Sequence, residues 1–138
     1  MSGSGVGTAR TDLVVEQGET WASDTWALVE TDANGNAVGL PTDGWTVRGQ
    51  VRARRASDVV LVQFTSTGAN PNAYAEPVSV PLANGTGLPT VGVTLRLSAN
   101  DTTDLPFATG VYDVFVERAG VVHRIAEGAF RVAQAVTR

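Results

Sequence analysis

Asp32, Asn34 and Asn36 alternate in the stretch TDANGNAV, residues 31–38, as the first oxygen donors of a calcium loop do. A full EF-hand loop also needs Gly at its sixth position and a bidentate Glu at its twelfth. Counted from Asp32, those positions hold Ala37 and Asp43, and Gly35 stands at the fourth. Asn34-Gly35 instead supplies the positive φ angles of a tight hairpin turn. The stretch is therefore expected to be a turn between strands, with no metal site and no cofactor.

Other chemistry-bearing residues are sparse. The single His123, in VVHRIAEG, has no Ser or Cys partner nearby in sequence and no second ligand. Asp101 and Asp104 form a carboxylate pair, but they flank a predicted helical turn, where Asp is ordinary capping. With no cysteine there is no thiolate nucleophile, disulfide or zinc-thiolate site. No nucleophile, base and orienting group come together, and the chain is expected not to be an enzyme.

Binding chemistry is better represented. Arg48, Arg52 and Arg54 recur at even spacing and are expected to project from one outward strand face, with Arg55 beside them. Such a stripe suits an acidic partner surface, and also protects a sheet edge. Tyr74, set among Asn, Ala and Pro, is expected to be an exposed aromatic anchor. Trp21, in the acidic and polar context GETWASD, is expected at the surface, whereas Trp26 and Trp45 fall in phase with apolar neighbours. One exposed Trp is weak support for a sugar-stacking platform.

The elements that must carry these residues show a period of two. In WTVRGQVRA, residues 45, 47, 49, 51 and 53 share an apolar face; Thr46, Arg48, Gln50 and Arg52 share the other. Val91, Val93, Leu95 and Leu97 alternate in the same way, as do Tyr112, Val114 and Val116. Further strands are expected at 12–16, 25–30, 59–65, 121–125 and 129–133, with a shorter one at 78–82. Pairs such as Asn34-Gly35, Asn84-Gly85 and Ala119-Gly120 punctuate them. The fold expected is an all-β antiparallel two-sheet sandwich, Ig-like, with at most one or two short helical turns. The helical candidate is 98–106, capped by Ser98 or Asn100 and ended by Pro106.

The 138 residues suit one domain. Residues 1–10, rich in Gly and Ser, are expected to be a flexible arm, and 11–138 a single domain. Residues 66–90 contain four prolines and are expected to be a long loop. The formal net charge of −4 argues against nucleic acid as a partner. No apolar run is long enough to cross a membrane as a helix, and the first residues lack the apolar core of a secretory signal. All ten basic residues are Arg and Ile occurs once, the codon signature of a GC-rich genome.

Taken in order, DLVVEQGETW, the DANGN hairpin, GWTVRGQVR and then VTLRLSANDTTDLPFATGVYDVFVERAG resemble the small Ig-like β-sandwich virion proteins of tailed bacteriophages. The likeness is to the N-terminal domain of baseplate upper proteins and to small minor-tail proteins of actinobacterial phages. It rests on Leu97, Ser98, Thr102 or Thr103, Leu105, Gly110, Tyr112, Asp113, Glu127, Gly128 and the ending Val136-Thr137-Arg138. It covers about residues 11–138 without the 66–90 stretch and carries over no catalytic or ligand residue. The resemblance implies a non-enzymatic structural protein of the tail, baseplate or a tail-adjacent assembly. Its partners would be other virion proteins or copies of itself, and it would be assembled in a bacterial cytoplasm. A capsid decoration protein and a carbohydrate-binding adhesion module are the alternatives. Leu105 is expected to plug one end of the sandwich, Gly110 to bend the chain, and Tyr112 to point inward with its hydroxyl bonded to backbone near that bend, as in a tyrosine corner.

Overall fold

Alternating side chains fix the large sheet. The computed structural model describes residues 7–135, so the expectations placed on residues 1–6 and on the Val136-Thr137-Arg138 ending lie outside it. In chain order the strands are β1 (Ala9–Arg10), β2 (Leu13–Glu16), β3 (Trp21–Ala22), β4 (Trp26–Ala27), β5 (Val29–Thr31), β6 (Ala37–Gly39), β7 (Thr46–Arg52), β8 (Val62–Thr65), β9 (Ala73–Pro81) and β10 (Gly87–Leu97). The helix α1 (Ala99–Thr103) and the strands β11 (Thr109–Arg118) and β12 (Val121–Ala133) complete the described chain.

One sheet runs β8, β7, β11, β12, with β1 and β2 sharing the outer edge of β12. The other centres on β10, with β9 on one side and β3 and β4 on the other; β5 and β6 form a separate hairpin. The result is the expected all-β sandwich. Its neighbours within each sheet, β9-β10-β4 and β12-β11-β7-β8, give the two-sheet division of an Ig-like fold.

The core lies between the sheets, where the period-two reading placed it. Val47 and Val51 of β7, Tyr112, Val114 and Val116 of β11, and Val91, Val93, Leu95 and Leu97 of β10 are all buried. Trp45, at the end of the same face, is half-buried and packs on this core. Phe64 and Phe130 are wholly enclosed, their rings 6.4 Å apart. Each such side chain contributes roughly 1.5–3 kcal/mol by leaving water. Between Val114 and Phe115 the β11–β12 register shifts, and the extra residue lets Ile125 and Ala126 both turn inward.

Three expectations need correction. Residues 66–90 are not a long loop: 73–81 and 87–97 form a nine-pair antiparallel hairpin about the Asn84-Gly85 turn. Pro77, Pro81 and Pro89 looked like strand breakers, but Pro77 and Pro81 lie on β9 at a sheet edge, where a missing N–H is tolerated, and Pro89 lies near the start of β10, ahead of the residues that pair with β4. The large sheet is not purely antiparallel, because β1 and β2 run parallel to β12. They join the first and last parts of the chain, and side-chain alternation carries no information on strand direction. Residues 9 and 10 of the expected arm are a strand: Ala9 and Arg10 pair with Ala126 and Glu127, and the Thr8 hydroxyl donates to the Arg124 carbonyl at 2.8 Å.

Two residues of the resemblance pattern also act differently from expectation. Gly110 permits close approach, since a Cβ there would lie 2.8 Å from the Arg52 carbonyl oxygen. Tyr112 does point inward, but its hydroxyl donates at 2.6 Å to the carbonyl of Thr11, holding the N-terminal segment instead of its own bend. Leu105 packs against the core as expected.

Candidate functional site

The TDANGNAV stretch is a hairpin that consumes its own donors. The Asp32 carboxylate oxygen Oδ1 accepts the N–H groups of Asn34 and Asn36, each at 2.9 Å. Gly35 takes the left-handed conformation with φ of 82°. At the base, the buried Thr90 hydroxyl donates to the Leu28 carbonyl at 2.6 Å and accepts the Leu40 N–H at 2.9 Å. Among the described residues no three His, Cys, Asp or Glu side chains gather to hold a metal.

Of the carboxylate pair at α1, only Asp101 uses its side chain for capping; Asp104 caps through its backbone N–H. Ser98 and Asp101 form a reciprocal capping box, with the Asp101 N–H donating to the Ser98 hydroxyl at 3.1 Å, and Asp104 is the C-cap. Thr102 is the buried pin of this helix: its hydroxyl donates to the Glu19 carbonyl at 2.8 Å and accepts the Gly18 N–H at 3.1 Å. His123 stands opposite Val116 in the β11–β12 ladder.

The aromatic candidates sit deeper than the sequence suggested. Trp21 is half-buried, with its ring edge-on to Phe130 at 6.0 Å and tilted against Phe64 at 6.3 Å. Its polar neighbours hid this, because β3 is too short to show a period. Tyr74 is half-buried on β9; its hydroxyl donates to the Pro71 carbonyl at 2.8 Å and the Arg96 guanidinium covers its ring at 4.5 Å. Tyr74 and Arg96 line an open groove of about 780 Å³ together with Leu61, Asp101, Asp104 and Leu105.

The arginines meet on the outer face of the large sheet. Thr46, Arg48, Gln50 and Arg52 of β7 stand opposite Glu117, Phe115, Asp113 and Val111 of β11. The Arg48 guanidinium lies 5.6 Å from the centre of the half-buried Phe115 ring. Arg52 donates to the Gln50 amide oxygen at 2.7 Å and 3.2 Å and to the Ser57 carbonyl. Arg54 leaves the expected stripe: β7 ends at Arg52, and Arg54 is exposed in the following turn, its carbonyl accepting the Ser57 N–H at 3.0 Å. Arg55 reaches across the face to Glu127 at 2.8 Å, and Arg124 contacts the other oxygen of that carboxylate at 3.1 Å.

Burial, followed by the nearby carboxylates of Asp12 and Glu127, pushes the Tyr112 phenol up to about 12. Sequence reasoning missed Phe115, Asp113 and Glu117 as members of the face. The signal was present in VYDVFVER, where a large aromatic occupies an outward position between two acids.

No family model matches the chain, and no curated protein matches it.

Proposed function

We propose that this chain is a non-enzymatic structural protein of a tailed-phage virion, a tail, baseplate or tail-adjacent component acting through protein–protein contacts. The observation that carries the contact half of this reading is the outer face of the large sheet. It presents Arg48 and Arg52 around a half-buried Phe115 on a rigid four-strand platform. Arginine and aromatic side chains are the types enriched where proteins meet. The virion half is supported by the sequence resemblance, whose pattern residues Thr102, Leu105, Gly110 and Tyr112 each have a structural task here. Mass spectrometry and immunogold labelling of purified particles test it. Stoichiometric presence at the tail or baseplate is the expected result, labelling over the head would select capsid decoration, and absence from particles would sink the virion reading.

The groove beside Tyr74 favours a second reading, a glycan-binding adhesion module, because it combines an aromatic ring with Asn70, Asn72 and Asp104. Titration with a panel of cell-envelope glycans, compared with Tyr74→Ala, tests that reading. Equal signals for the two proteins would reject it.

A further inference from the structure

We infer that the outer face of the large sheet binds the same face of a second copy of this chain, related by a two-fold axis running along the strands between β7 and β11. This deepens the assembly reading and rests on it, since it names the partner of the same face.

The charges choose the partner. On β7 the outward residues Arg48 and Arg52 make one positive stripe, and on the adjacent β11 Asp113 and Glu117 make one negative stripe. None of the four takes part in the five ion pairs found among the described residues. Both half-buried, Phe115 lies between the acids along β11 opposite Arg48, and Val111 lies beyond Asp113 opposite Arg52.

A face of this kind complements itself in one way. With the axis along the strands, β11 of one copy lies over β7 of the other, about 10 Å away as stacked sheets are. Height along the strand is preserved, so Phe115 meets Arg48 of the second copy. Asp113 comes over Gln50, between Arg48 and Arg52, and Glu117 comes over Thr46, next to Arg48. An axis across the strands would instead stack β11 on β11 and set acid over acid. Like charges face to face are strongly disfavoured. The electrostatic pattern thus selects both the occupant and the symmetry, and such an interface is closed, giving a dimer and not a filament.

The area sets the strength. About this axis the four strands β8, β7, β11 and β12 overlap; four positions about 4.8 Å apart and some seven residues at about 3.3 Å each give a face of roughly 450 Å² per copy. That is about 900 Å² in total, at the low end of the weak and reversible size class. The dimer should therefore depend on concentration and weaken as salt rises.

Sedimentation equilibrium on the full chain is the test. The wild type should pass from 14.4 kDa to twice that mass as concentration increases. The double variants Arg48→Asp/Arg52→Asp and Asp113→Arg/Glu117→Arg should each be monomeric where the wild type is dimeric, the dissociation constant rising about a hundredfold or more. Mixed one to one, they should restore the dimer. Glu117→Arg alone, at an exposed position, serves as a mild variant that leaves the fold intact and should weaken the dimer roughly tenfold. A wild type that stays monomeric to about millimolar, a regime of weak association, would overturn the inference and leave a different virion protein as the occupant. So would variants that dimerise like the wild type, or a mixture that stays monomeric. Since the assay uses purified protein, it fails or succeeds independently of whether the chain is found in particles.

Discussion

At the residue scale, hydroxyls tie together segments far apart in sequence. Tyr112 donates to Thr11, 101 positions earlier, while its phenol sits beside Asp12 and Glu127. The sign of the pH effect follows. The unfolded phenol loses its proton near 10 and the folded one near 12, so the folded state holds the extra proton between these values. Stability from this group is complete below pH 10 and is lost as pH rises toward 12, by at most about 2–3 kcal/mol. Tyr112→Phe should cost about 1 kcal/mol at neutral pH and flatten the alkaline limb of the melting curve. A variant with an unchanged alkaline limb would show that another group carries it. Asp32 belongs to the same scale. Its carboxylate already serves two N–H groups of its turn, so the melting temperature is expected not to move between millimolar calcium and chelator. A clear rise with calcium would overturn the hairpin reading, because a ligand that binds only the folded state must stabilise it.

At the element scale, what was legible followed from side-chain alternation. The inner faces of β7, β10 and β11 were readable because their apolar residues fall every second position over seven or more residues. The hairpin of β9 and β10 was not, since Pro77 and Pro81 mask a strand whose edge position tolerates them and Pro89 masks the start of its partner. Nor was the parallel edge made by β1 and β2, because direction leaves no mark on alternation. The candidate face was half legible. Arg48 and Arg52 were found from their own strand, whereas Phe115 needed β11 placed next to it. Arg54 was misplaced because nothing in VRARR marks where β7 stops. Two substitutions test the elements. Val47→Asp puts an unpaired carboxylate among Val116, Val114 and their neighbours and should cost several kcal/mol, checked by chemical denaturation. Thr102→Val keeps the shape but strips a partner from the Gly18 N–H and the Glu19 carbonyl, and should cost about 1–3 kcal/mol. If α1 merely leans on the 17–19 turn, that variant would melt like the parent.

At the scale of the whole molecule, assembly through faces requires that sheet edges stay closed. An open edge pairs indiscriminately with other strands. The β8 edge is sealed by one residue. The Asn72 side chain accepts the Thr65 N–H at 2.8 Å and donates to the Gln63 carbonyl at 3.0 Å, while its own backbone N–H donates to the Thr65 carbonyl at 3.0 Å. A side-chain amide here takes the place of a neighbouring strand. The β9 edge carries Pro77 and Pro81, which have no N–H to offer. With these edges blunted, the outer face of the large sheet is left as the surface through which the proposed assembly would select partners by charge. Asn72→Ala keeps the backbone bond but frees the Thr65 N–H and the Gln63 carbonyl. It should lower stability by about 1–3 kcal/mol and raise light scattering on incubation well below the melting temperature. Asn72→Asp should restore the bond from Thr65 but not the one to Gln63, and fall between the two. If the alanine variant melts with the wild type and remains clear in solution, the β8 edge is protected by something other than Asn72, and the division of labour between sealed edges and a binding face does not hold.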